Sequence, residues 1–129
     1  MERQKRALIA DASQSSRSLL RFIIEGAGYE VTEAADGEDA LQQALARIPD
    51  LFILDLNMPK RSGWSVVEEL RRRPECQAIP VIALSAARGW VTPAELSAAG
   101  FSASLVKPIT PTLLRECISH LDKARIKSL

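Results

Sequence analysis

The 129-residue sequence holds one histidine and two cysteines. Cys76 and Cys117 form no C-x-x-C, and no companion histidine stands at metal-ligand spacing, which argues against a zinc site or a redox dithiol. They read as a loop thiol and a core thiol. His120 lies in a late helical pattern and reads as a surface residue rather than a catalytic base. Charge of one sign is also lacking. The net charge is +1, so composition gives no footprint for nucleic acid or an anionic membrane. The one dense basic run, Arg71, Arg72 and Arg73, reads as the solvated end of a helix. Long apolar runs are missing too. Ala7 to Ala10 is too short for a signal-peptide core, and nothing later could span a bilayer, so a cytoplasmic protein is expected. No linker, repeat or low-complexity stretch divides the chain. Residues 1–129 read as one domain with its core over about 6–122 and a polar tail that frays from Lys123.

What is present is a set of short apolar runs. The most telling is Leu51-Phe52-Ile53-Leu54-Asp55, an unbroken run that suits a strand buried on both faces and ends in a carboxylate. Arg6 to Asp11, Pro80 to Ser85 and Ser104 to Lys107 have the same form, while Tyr29 to Ala34 alternates as a strand nearer an edge would. Helical spacing fills the intervals. Leu19, Leu20, Ile23, Ile24 and Ala27 form the first buried stripe, and Ser13, Ser15 or Ser16 could cap it. Ala40, Leu41, Ala44, Leu45 and Ile48 form the second, behind an Asp36 cap. Trp64, Val66, Val67 and Leu70 form the third, closed by Pro74. Thr92-Pro93-Ala94-Glu95 and Thr110-Pro111 each combine a cap with proline at the first helical position, and Val91 and Leu96 are spaced as a hydrophobic staple. Leu113, Leu114, Cys117, Ile118 and Leu121 line the last helix. Five βα units with short connections imply a parallel sheet with helices on both faces.

Four strands then end in a functional group: Asp11, Asp55, Ser85 and Lys107. In an open parallel sheet these ends share one edge, where ligands bind. Two carboxylates can hold a hard cation such as Mg²⁺, and a lysine and a hydroxyl can hold phosphoryl oxygens. A carboxylate can itself attack phosphorus to give an aspartyl phosphate.

At these residues the chain resembles the receiver domain of two-component response regulators. The likeness runs from Ala7 to about Leu121 and rests on Asp11, on Asp55 within Leu54-Asp55-Leu56-Asn57-Met58-Pro59, on Gly63, on Ser85-Ala86 and on Lys107-Pro108. It implies a flavodoxin-like (βα)5 fold of strand order 2-1-3-4-5. It also implies phosphoryl transfer to Asp55 from a histidine kinase or phosphotransfer protein. By the same resemblance Ser85, Ala86 and Lys107 hold the phosphoryl group, and Mg²⁺ is held by Asp11, Asp55 and the backbone carbonyl of Asn57. Lys107-Pro108 becomes a candidate cis peptide. The implied protein is not an enzyme beyond self-catalysed phosphorylation and dephosphorylation. It is expected to stand alone and to signal by docking to a downstream protein, with no contact to nucleic acid or membrane; its oligomeric state is left open.

Two positions depart from the family pattern. Receivers carry two adjacent acids after the first strand, the second being the direct metal ligand, whereas this chain reads Asp11-Ala12 and weak Mg²⁺ binding is expected. The position three before the lysine, usually an aromatic that switches with the strand-four hydroxyl, is Ser104. If the signal leaves by the loop of residues 86–90 instead, Trp90 is either a partner-facing residue or a side chain folded over the next helix cap. Trp64, Phe101, Met58 and Phe22 read as packing. Ala12 and Ser104 favour an alternative, a degenerate pseudo-receiver that binds partners without phosphorylation; Asp55, Ser85 and Lys107 oppose it. A phosphatase using an aspartyl nucleophile would need an acid where Asn57 stands, and a flavin site would need glycine in Ser13-Gln14-Ser15-Ser16.

Overall fold

A computed structural model describes residues 3–86 and 91–127, with side chains to residue 123. Trp90 lies outside the described residues. Five parallel strands form one sheet of order β2-β1-β3-β4-β5: β1 Arg6–Ala10, β2 Glu30–Ala34, β3 Leu51–Asp55, β4 Val81–Ser85 and β5 Ala103–Val106. Between and after them run α1 Gln14–Gly26, α2 Gly37–Ala46, α3 Gly63–Arg71, α4 Pro93–Ala99 and α5 Pro111–Lys127. The expected flavodoxin-like architecture and strand order are both found.

Strand periodicity divides the core in two. Leu8, Ala10, Phe52, Leu54, Val81 and Ala83 pack beneath α2, α3 and α4. Ala7, Ile9, Leu51, Ile53, Ile82 and Leu84 point the other way, to Leu20, Ile23 and Ile24 of α1 and Leu114 and Ile118 of α5. A strand buried on both faces needs an unbroken apolar run, and β3, central in the sheet, is buried at every residue.

Caps set where the helices begin. Ser13 caps α1, Asp36 caps α2 through the Asp39 amide, and Thr92 caps α4 through the Glu95 amide. The Leu113 amide donates to the Thr110 hydroxyl at the start of α5. Gly100 ends α4 with φ of 113°, a left-handed turn that a side chain would strain.

Several expectations need correcting. Leu19, Phe22 and Leu113, assigned to packing, lie on the surface; Phe22 is 74% exposed. The tail expected to fray from Lys123 continues α5 to Lys127. Cys76, read as a loop thiol, is fully buried in a 3-10 turn beginning at Pro74, and Cys117 is only partly buried. Arg71 is not part of a solvated helix end. Its guanidinium donates to Gly100 O at 2.8 Å, Cys76 O at 2.8 Å and Ile79 O at 2.8 Å. Among the described residues, no helix is long and apolar enough to cross a membrane.

Candidate functional site

The carboxyl edge of the sheet gathers the polar strand ends. Ala10 lies opposite Leu54, so Asp11 and Asp55 follow at the same level. Leu84 lies opposite Asp55, and Ser85 opposite Val106, which brings Lys107 next in line. The Lys107 amide donates to the Ser85 carbonyl at 2.8 Å, and the Lys107–Pro108 bond is cis. Asp11, Asp55 and Ser85 are the buried polar side chains of the described chain. Ala86 is exposed beside them, Ala12 is exposed beside Asp11, and Ser104 is half-buried on β5.

At the centre, Lys107 Nζ donates to Asp55 Oδ2 at 2.7 Å and to Asp11 Oδ2 at 2.8 Å. The other carboxylate oxygens take backbone amides: Asp55 Oδ1 accepts from Asn57 N at 2.9 Å, and Asp11 Oδ1 from Ser13 N at 2.8 Å. Burial pulls the Lys107 ammonium down, but its hydrogen bonds to Asp11 and Asp55 and their negative charge outweigh that and hold it above the usual lysine value. A groove of about 450 Å³ borders this cluster, lined by Leu19, Leu20, Leu84, Pro108 and Ile109 together with Asp11, Ser16 and Lys107.

The loop carrying Asn57 is held by contacts that sequence reasoning missed. Gly37 N donates to Pro59 O at 3.2 Å, and a Cβ on Gly37 would stand 1.8 Å from Arg61 O. Lys60, at φ of 68°, pairs with Asp36 at 3.6 Å, and Arg61 pairs with Glu38 at 3.2 Å. Gly63 lets α3 begin against β3: a Cβ there would meet Asp55 O at 2.5 Å. Arg17 is a second omission. Its guanidinium donates to Asp11 O at 2.7 Å and to Glu33 at 3.1 Å, and Glu33 also holds Arg21. Gly37 and Arg17 act across distances in the chain that no local pattern displays.

Whether a divalent cation suits this edge is decided by its donors. Asp55, Asp11 and the Asn57 carbonyl are hard oxygens of the kind Mg²⁺ takes, and that ion keeps several waters, so the set fits in chemistry. It is one carboxylate short, because Ala12 offers no donor. Among the described residues, no group of three or more acidic, histidine or cysteine side chains is placed to hold a metal.

Residues 7–119 match the family model described as the response regulator receiver domain. A probable transcriptional regulator ycf27 of Porphyridium aerugineum is 37% identical over 128 residues, covering 96% of this chain and 52% of that protein. The alkaline phosphatase synthesis transcriptional regulatory protein PhoP of Bacillus subtilis is 38% identical over 82 residues, covering 64% of this chain and 33% of that protein. The chain thus spans about half the length, or less, of these curated relatives. Among solved structures, the chemotaxis response regulator CheY4 of Vibrio cholerae aligns with a TM-score of 0.85 at 31% identity, covering 92% of this chain and 99% of that one. A putative response regulator from Chloroflexus aurantiacus aligns with a TM-score of 0.85 at 30% identity, covering 92% and 98%.

Proposed function

The chain belongs to the response regulator receiver family, and on that premise we propose that it accepts a phosphoryl group on Asp55. The observation that carries this is the pairing of Asp55 Oδ2 with Lys107 Nζ at 2.7 Å at the edge of the sheet. A carboxylate held beside a cation can attack phosphorus while the cation offsets the charge brought in by the phosphoryl oxygens. In the proposed step a phosphohistidine of a histidine kinase or phosphotransfer protein is the donor. An Asp55 oxygen bonds to phosphorus, the P–N bond breaks, and the imidazole leaves with the electron pair and takes up a proton. Lys107, the Ser85 hydroxyl and the Ala86 amide would hold the phosphoryl oxygens. Asp55, the Asn57 carbonyl and Asp11 would hold Mg²⁺, which when bound supplies neutralising charge; with Ala12 in place of an acid, its binding is weak. The chain carries out no further catalysis beyond loss of its own phosphoryl group. Exposed Leu19 and Phe22 on α1, with the groove beside Leu19, offer an apolar seat for a donor. The output is proposed as docking through α4, β5 and α5, where Val106 is exposed. The test is incubation with acetyl phosphate and Mg²⁺ followed by intact mass. A gain of one phosphoryl group is expected, absent in Asp55→Asn; no gain in the wild type rejects the proposal.

Ala12 and Ser104 favour a second reading, a pseudo-receiver that binds its partner unphosphorylated. In that case partner affinity is the same for wild type and Asp55→Asn, and acetyl phosphate changes neither.

A further inference from the structure

Asp11 is buried, and its backbone is held on both sides. Its amide donates to Ala34 O, at the end of β2, at 3.1 Å. Its carbonyl accepts from Arg17 Nη1, on the first turns of α1, at 2.7 Å. Each peptide group is a rigid plane, so fixing the planes before and after a residue fixes the direction of its Cα–Cβ bond. The Asp11 carboxylate is thereby aimed from behind. The guanidinium that does this is itself braced. Arg17 Nε donates to Glu33 Oε1 at 3.1 Å, and the side chain is only 15% exposed. Glu33 precedes Ala34 on β2, and its own carbonyl accepts from Gln43 of α2 at 2.9 Å. A planar fork held at two donors has little freedom to turn. Arg21, one turn further along α1, shares Glu33 but spends its other donors on Val31 O at 3.0 Å and Glu25 at 3.2 Å, and none on Asp11. Ala12 raises the stake, because no neighbouring acid can stand in if Asp11 turns away.

We propose that Arg17 is a positioning residue of the site: by holding the Asp11 carbonyl while braced on Glu33, it sets the direction in which Asp11 presents its carboxylate beside Asp55. Arg17 touches no reacting atom and acts only through Asp11. The consequence for a divalent cation rests on the receiver reading, whereas the consequence for Asp11 itself does not.

The full chain is enriched in ¹³C and the Asp11 side-chain carboxyl signal, assigned by its absence in Asp11→Asn, is followed by NMR, first without metal and then through a MgCl₂ titration. In Arg17→Met the metal-free Asp11 signal is expected to move. The Mg²⁺ midpoint is expected to rise on the order of tenfold, the scale on which groups behind a metal ligand act. Arg21→Met loses its bonds to Glu33, Val31 and Glu25 but none to Asp11. Its Asp11 signal is expected to stay in place and its midpoint to remain within about twofold. A role confined to joining α1 to β2 would move both variants alike. Equal movement in the two variants overturns the proposal, as does an unmoved Asp11 signal in Arg17→Met or a midpoint raised less than about threefold. If Arg17→Met does not fold, Arg17→Lys is read by the same criteria, since one ammonium cannot reproduce the fork between Asp11 O and Glu33. Neither readout needs a phosphoryl group, so failure of acetyl phosphate labelling rejects the receiver reading and leaves the metal-free comparison to decide the role of Arg17.

Discussion

Lys107 Nζ sits 2.7 Å from Asp55 and 2.8 Å from Asp11, so one ammonium at the end of β5 ties together the ends of β3 and β1. The contact links residues far apart in sequence through the order of the sheet alone. It also makes the lysine structural as well as chemical, because removing it leaves two buried carboxylates facing each other.

That structural role has a definite pH dependence. The folded-state value of Lys107 is raised, so the stabilisation is fully present below the unfolded lysine value of about 10.4 and is lost as pH rises through the higher folded value. Denaturant melts of wild type and Lys107→Met should therefore differ most at neutral pH and converge in strong alkali. Curves that stay equally far apart through that range contradict this.

Ala12 supplies the opposite test. Ala12→Asp restores a carboxylate on an exposed position beside Asp11, adding an oxygen donor that Lys107 does not occupy. Mg²⁺ affinity is expected to rise on the order of 10- to 100-fold, the scale on which single groups around a metal act. Calorimetry at fixed ionic strength measures it, and an unchanged affinity would mean that position 12 does not face the cation.

Gly63 lies against the backbone of Asp55. Its Cβ position lies 2.5 Å from Asp55 O and 2.9 Å from Leu56 Cα, both backbone atoms that cannot swing aside. Gly63→Ala should cost about 1–3 kcal/mol and displace the end of β3. A thermal melt reads the first effect and the rate of acetyl phosphate labelling the second. A melt unchanged from wild type would show that α3 can shift without cost.

The strands were legible because burial on both faces demands apolar runs, and the caps because Asp36, Thr92 and Thr110 carry their chemistry locally. The site emerged from four polar strand ends, whose meeting place follows from a parallel sheet. Three things escaped. Leu19 and Phe22 recur at helical spacing on α1, yet spacing does not distinguish a residue facing the core from one facing solvent at the border of the stripe. Gly37 is required by Arg61, which lies beyond an intervening strand. Arg71 was masked by its neighbours Arg72 and Arg73, which are exposed as a charge run should be.

Arg71 leads to the last expectation. Its planar fork reaches Gly100 O from both Nε and Nη2, at 2.9 and 2.8 Å, and also Cys76 O and Ile79 O, so one side chain joins the end of α3, the turn into β4 and the end of α4. Burial lowers its pKa from the ordinary arginine value, and the side chain acts here as a charged five-donor fork with no acceptor. Arg71→Met keeps the length and apolar stem while removing every donor. Carbonyls left half-buried without partners cost about 1–3 kcal/mol, a loss that equilibrium unfolding would register. Arg71→Lys should recover little, since a single ammonium cannot span carbonyls on three segments in the same plane. Hydrogen exchange separates this from a general loss of stability: the Phe101 amide, bonded to Leu96 O just beyond Gly100, should lose protection before the amides of β1. If β1 and Phe101 weaken together, Arg71 stabilises the whole fold rather than the seat of α4.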